Sequence, residues 1–376
     1  MDYRLYGDGI TPDTAAIQAL LDSGKSQIVL PQPKVCYIID RPLKIYSCQE
    51  LILPRFCRIR LADGSNCHML ENGDQNTGST DIRITGGIWD YNNLGQAPNP
   101  FHFPHPDFPA YDGQPFFLKN IRNLTISDLT FKDPITFACT LDMVSYFTVE
   151  NIRFDFNLGN PRPMNMDGIH LNGNCHFGVL RNLQGTCYDD LVALNADEGS
   201  NGPITNITVD GIYAENCHSA VRLLTVRNRV EHIHISNVYG TYYQYCIGIT
   251  KYYPGKTEGY YDSLVLDNIH ASKSPRYTYL HISAEYCLHG YVYPLIYIEE
   301  ETHIKSLAIR DLYRVEECVP VSTIFAGKDS RIENLCITDC SCENKTGKEF
   351  VFFENRADIG TLEFRNNRMT GGKLLG

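Results

Sequence analysis

Apolar residues along this chain fall into short runs, not into long amphipathic stretches. From about residue 120 one four-residue pattern, apolar–any–(Asn, Asp or Gly)–apolar, recurs. It reads Ile126-Ser-Asp-Leu129, Val149-Glu-Asn-Ile152, Leu180-Arg-Asn-Leu183, Val209-Asp-Gly-Ile212, Ile235-Ser-Asn-Val238, Leu266-Asp-Asn-Ile269, Ile309-Arg-Asp-Leu312 and Ile337-Thr-Asp-Cys340. Successive first members are 23, 31, 29, 26, 31, 43 and 28 residues apart. Self-similarity with such a period marks a stacked architecture. Each interval holds two or three short strands between Asn, Gly or Asp corners and no helix-length apolar stripe. One turn of a right-handed parallel β-helix uses about that much chain, with coils stacking at the ~4.8 Å strand spacing. A β-propeller is the rival, but four strands per blade need ~40–45 residues, which most intervals lack. The motif asparagine suits a left-handed corner and can bond neighbouring backbone.

The earlier chain fits the same scheme. Ile28-Val-Leu30, Val35 to Ile39 and Leu51-Ile-Leu53 read as strands, and Cys57-Arg-Ile-Arg-Leu61 alternates with period two. Residues 12–23 carry the one convincing helix. Ala16, Ile17, Leu20 and Leu21 share a face, Asp13 or Thr11 is available as N-cap, and Gly24 ends it. That helix is placed to cap an open coil edge, which would otherwise invite strand addition. The expected fold is all-β: a single-stranded right-handed parallel β-helix over residues 1–376 as one domain, with a short N-terminal capping α-helix. Three long loops, at 92–116, 252–262 and 272–296, are expected to wall a groove. Long loops in compact domains are usually functional.

Composition narrows the function. The 376 residues are 43% hydrophobic, yet no segment approaches the roughly 18 apolar residues of a membrane helix. Net charge is −11 with no long basic run, which disfavours nucleic acid and anionic membranes as partners. The 24 tyrosines suit a sugar-binding surface, although buried ladders would also use them. The 14 cysteines are spread along apolar runs and read as mostly reduced, with no metal-binding spacing. No cofactor or metal is expected. Met1-Asp-Tyr-Arg4 gives no signal peptide, so a cytoplasmic location is expected unless a signal has been removed. The sequons at Asn123, Asn206 and Asn344 read as corner asparagines.

The chemistry concentrates between Asn165 and Asn195. Asp167, Asp189 and Asp190 each lead into a short apolar strand, where carboxylates are ordinarily depleted. Asp167 and Asp190 are 23 residues apart, and their followers agree: Ile169 and Leu171 answer Val192 and Leu194, and Asn172 answers Asn195. They are therefore expected on neighbouring coils, with Asp189 beside the pair. Crowded carboxylates raise at least one pKa and so provide an acid near neutrality beside ionised partners. Such a set suits glycosidic hydrolysis, and inversion needs a separation of ~6.5–9.5 Å between acid and base. The alternative is a structural ladder of corner aspartates.

Asn165-Met-Asp167-Gly-Ile with Asp189-Asp190-Leu-Val-Ala resembles the Asn-x-Asp-Gly and Asp-Asp-x-x-Ala motifs of glycoside hydrolase family 28, the polygalacturonases and related pectin-degrading enzymes. Tyr6-Gly-Asp-Gly9, Asp13 to Gln18 and Gly86-Gly-Ile-Trp-Asp90 are also similar to stretches of that family and of pectate-lyase-like β-helices, with Tyr91 in place of a glycine. The resemblance covers roughly residues 6–270. It implies an inverting hydrolase in which Asp189 is the general acid, Asp167 and Asp190 position the water, and Asn165 orients the cluster. It also implies substrate contacts from a Gly-His-Gly segment and an Arg-Ile-Lys segment. Here Arg222 is one candidate for the arginine, which puts Leu224 at the lysine position; alternatively His218 matches the histidine, which leaves the arginine position open, and Lys251 is a candidate cation from the next coil. His170 stands where the family often has another aspartate. Loss of a point charge for a uronate carboxylate argues against plain homogalacturonan and for another acidic or modified oligo- or polysaccharide. A polysaccharide lyase, a fructan-processing enzyme and a non-catalytic carbohydrate-binding β-helix are the alternatives. The sequence leaves the oligomeric state open.

Overall fold

The computed structural model describes residues 4–98, 111–160, 163, 165–251, 259–274 and 292–376. Among these, 28 strands join through exclusively parallel pairings into one continuous sheet that winds as a right-handed β-helix. The motif sets the register residue for residue. Ile126 pairs with Val149, and the column continues through Leu180, Val209, Ile235, Leu266, Ile309 and Ile337. All eight side chains are fully buried. The fourth members, from Leu129 to Cys340, form a second buried column. An apolar column at strand spacing removes its methyl groups from water at every coil, and the core lengthens by one layer per repeat.

The third motif position explains the corners. Asp128, Asn151, Asn182, Asn237, Asn268, Asp311 and Asp339 all have φ between +48° and +60°, and Gly211 has +83°. A left-handed residue at the motif position thus bends a long strand without a loop, as Gly211 does within Ile204–Cys217 and Asn268 within Tyr260–Lys273. Asn and Gly pay the least for that conformation. Their side chains also bond from coil to coil. Asn151 donates to Asp128 (2.9 Å), Asn182 to Asn151 (2.7 Å), Asn268 to Asn237 (2.6 Å) and Asn366 to Asp339 (3.0 Å). Gly211 has no amide to offer, and Asn237 turns instead to Asp210. Asn182→Val should therefore destabilise by about 1–3 kcal/mol, from left-handed strain and the lost bond. Asn182→Gly should cost less, because only the bond is lost. Chemical denaturation of the two variants checks the order, and equal losses would refute the corner argument.

The capping helix spans Thr14–Leu21 and buries Ala16, Ile17 and Leu21 against the first coils. Asp13 occupies the N-cap position but makes no cap bond. Its buried carboxylate instead accepts from the backbone N–H of Tyr6 (2.6 Å) and Gly7 (3.2 Å), and Thr11 is turned to Asp8. Burial raises the Asp13 pKa, the backbone bonds opposing it.

Of the two uses open to the tyrosines, those described near 239–261 serve the core and a ladder. Tyr242, Tyr243, Tyr245 and Tyr261 are buried, and Tyr239 belongs to a coil-to-coil stack with Tyr213, His270 and Tyr313 at 5.3–5.6 Å. Register alone explains it, because the four rings occupy equivalent positions on successive coils. The 13 described cysteines are free thiols, nine of them buried. Much of the expected loops at 92–116, 252–262 and 272–296 lies outside the described residues, including Tyr252 and Tyr253.

Candidate active site

Long strands alternate buried and exposed residues, but one face of the helix does not. Its short strands Ile169–Leu171 and Asp190–Asn195 are buried at every position. Their inner residues fill the core, and their outer residues floor a cavity of about 540 Å³. Ile169 pairs with Val192 and Leu171 with Leu194, which sets Asp167 against Asp190 on the neighbouring coil. Asp190 pairs in turn with Ser219. Gly168 permits the close approach, because a Cβ there would lie 2.5 Å from the backbone oxygen of Leu191.

The three aspartates have different surroundings. Asp190 is 1% exposed and lies beneath the cavity floor. One of its oxygens accepts from the Ser219 hydroxyl, and the other is 3.5 Å from the Arg222 guanidinium. Burial lifts its pKa to about 6, against the pull of Arg222. Asp189 opens onto the cavity, its side chain 18% exposed. Burial, together with the neighbouring charges of Asp190 and Asp167, pushes its carboxyl well above the usual carboxylate range. Asp167 also lines the cavity, and burial raises its pKa while His170 opposes the shift.

His170 is bound on both ring nitrogens. Nδ1 is 2.7 Å from Asp167 and Nε2 is 2.9 Å from Glu198, while Phe137 stacks on the ring at 3.9 Å. Burial opposes its charge, but the bonds to Asp167 and Glu198 prevail and lift its pKa to about 10. Burial likewise opposes the charge of Glu198, and the His170 bond overcomes it to hold that pKa at about 2. An Asp–imidazolium–Glu row therefore runs across the floor. Glu198 sits in the turn after Asn195, outside any strand pattern, so no periodic signal pointed to it.

The remaining candidates divide. Asn165 and Arg222 line the cavity. Arg222 pairs with Gly248 on the next coil, and its Nε donates to Thr250 (3.3 Å). His218 is buried below the aspartates, with Nδ1 3.5 Å from Asp189 and 3.1 Å from the Ser219 hydroxyl. It supports the cluster from beneath. Lys251 is not on the cavity wall. It is 5% exposed, and its ammonium is engaged by Glu301 at 2.7 Å, an acid 50 residues away that no local pattern links to it. From the long loop at 92–116, Asp112 and Gln114 do reach the cavity. Asp189, Asp190 and His218 bring one potential ligand atom each within 4.8 Å of one another. Two carboxylates and an imidazole fall well short of the roughly six to eight oxygens that calcium takes.

No family model matches the sequence, and no curated protein matches it. Solved structures do match in shape. An exopolygalacturonase from Thermotoga maritima is 14% identical with a TM-score of 0.65, over 98% of this chain and 90% of that one. The endo-xylogalacturonan hydrolase from Aspergillus tubingensis is 17% identical with a TM-score of 0.62, over 99% and 97%. PfbA, a surface adhesin of Streptococcus pneumoniae, is 18% identical with a TM-score of 0.56, over 100% and 92%. At these identities the likeness is one of fold, and it extends along the whole chain. The protein is thus built on a right-handed parallel β-helix, the fold it shares with these structures.

Proposed function

We propose that this protein hydrolyses a glycosidic bond of an oligo- or polysaccharide with inversion at the anomeric carbon. The observation that carries the reading is the division of labour among three carboxyls: Asp189, pushed well above the usual carboxylate range by burial and by Asp190 and Asp167, opens to the cavity, next to Asp190 and beside Asp167 on the neighbouring coil. Asp189 gives its proton to the leaving oxygen as the bond to the anomeric carbon breaks. A water held by Asp167, with Asp190 behind it beneath the floor, attacks that carbon and passes a proton to this carboxylate pair. Solvent then restores the proton of Asp189. His170 keeps Asp167 in its acceptor form through the 2.7 Å bond.

The pH dependence follows from these assignments. The base must be ionised, so kcat/KM should fall as pH drops below about 6, the value of Asp190. The acid must be protonated, so activity should fall again as pH rises through the elevated pKa of Asp189. These limbs belong to the cluster as a unit.

Proton NMR of the first sugar released from a glycan panel tests the reading. The expected product has the anomeric configuration opposite to that of the bond cleaved. Retention would refute the inverting assignment. Tight binding of a glycan with no turnover would replace the hydrolase with a binding module, and an unsaturated uronide product would replace it with a lyase.

A further inference from the structure

The cavity floor carries polar atoms that the catalytic assignment does not use. Gln114, Thr140 and Asn195 line it from three different coils, and each is at least nine-tenths buried. Among the described residues, Gln114 Oε1, Thr140 Oγ1 and Asn195 Oδ1 have no hydrogen-bond partner. Asn195 is bonded to Glu198 by its side chain, yet its Oδ1 remains unmatched. A buried acceptor without a donor is costly, so such groups are ordinarily matched by whatever occupies the site. Two of the three are amide oxygens, which accept only.

Among the described residues, each cation of this cavity already faces an acid, the His170 imidazolium between Asp167 and Glu198. Asp112, Asp142 and Glu198 line the same cavity, and its lysine, Lys119, is already 3.6 Å from Asp142. Arg222 is directed to Asp190 and Thr250. An ionised carboxylate has no proton to offer an amide oxygen and would be repelled by the acids. Sugar hydroxyls offer donors and carry no charge. Phe117, on the same wall, is parallel to His68 at 5.1 Å and gives the apolar face of a pyranose a surface to lie on.

We infer that Gln114, Thr140 and Asn195 form a sugar subsite that selects an uncharged, hydroxyl-rich residue over a uronate. This rests on the glycosidase reading for its context, though the selectivity is a property of binding and is measurable without catalysis. Oligosaccharides that contain uronate are prepared untreated and after chemical reduction of their carboxyls to primary alcohols. Linkage and length are then matched. Binding to the Asp189→Asn variant is measured by calorimetry, and turnover by the wild type in parallel.

The carboxyl-reduced form should bind at least tenfold more tightly. Thr140→Val should erase most of that preference by raising KM with kcat little changed, and Gln114→Leu, which removes the acceptor, should weaken the neutral ligand further. Equal or tighter binding of the uronate form, or no binding of either form, overturns the inference. Preferential binding of the reduced form without turnover by the wild type leaves the subsite standing and overturns the hydrolase.

Discussion

Asp189→Asn should lower kcat by about 10²–10⁴ while leaving substrate affinity nearly intact, because general acid–base catalysis contributes that range. The amide keeps the shape of the carboxyl but cannot surrender a proton to a leaving alkoxide. Asp189 is the acid among the three because of where each side chain lies. Asp190 is beneath the floor, tied to Ser219 and Arg222, and Asp167 faces the His170 imidazolium. Asp189 alone combines access to the cavity with a pKa driven up by burial and by two like charges. An acid with so raised a pKa carries little charge where Asp190 titrates, so the acid limb of any residual activity should stay in place while the alkaline limb disappears. Steady-state kinetics across pH measures both effects. Unchanged turnover by the variant would end the assignment.

The largest stability effect is expected far from the cavity. Glu316 and Arg314 form an ion pair with both side chains 0% exposed, at 2.7 Å and 3.0 Å. Glu316 also accepts from the backbone N–H of Lys273 (3.0 Å), Cys318 (3.0 Å) and Val319 (2.8 Å). Glu316→Ala strands the guanidinium in a dry site and orphans three donors. The expected loss is about 3–5 kcal/mol, as for other broken buried pairs. Lys273 sits close by, its ammonium bonded to the carbonyl oxygens of Tyr243 and Gln244, with burial and then Arg314 depressing its pKa to about 7. Removing the one acid among these groups worsens both cations at once. Replacing both partners, as Arg314→Met with Glu316→Leu, should be milder, because no charge is then left behind. Urea denaturation distinguishes the cases, and a loss below about 1 kcal/mol for Glu316→Ala would contradict the burial argument.

What was legible in the sequence is what the coil period encodes. The motif column is the register column, and the 23-residue offset between Asp167 and Asp190 is their pairing. Both follow from a one-dimensional pattern, since parallel coils place residue i beside a fixed offset. Glu198 escaped that logic because it folds back from a turn onto His170, a coil earlier, and turns carry no period. Lys251 looked like a free cation because its neighbours in sequence are apolar and aromatic, while its acid partner comes from the next coil. The tyrosines were ambiguous for a related reason, since the same ring suits a ladder or a sugar. Asp13 looked like a helix cap because the residue type is right, but a buried loop of backbone N–H groups competes for its carboxylate.

One consequence of the purely parallel stacking concerns modularity. Among the described residues, the strands of each coil pair only with those of the coil before it and the coil after it. Among the described residues, the cavity draws its lining from residues 112–222. Length and chemistry are therefore independent variables in this architecture. Whole coils added or removed toward Gly376 alter the reach of the rod and the number of stacked layers, and leave the spacing of the three carboxyls untouched.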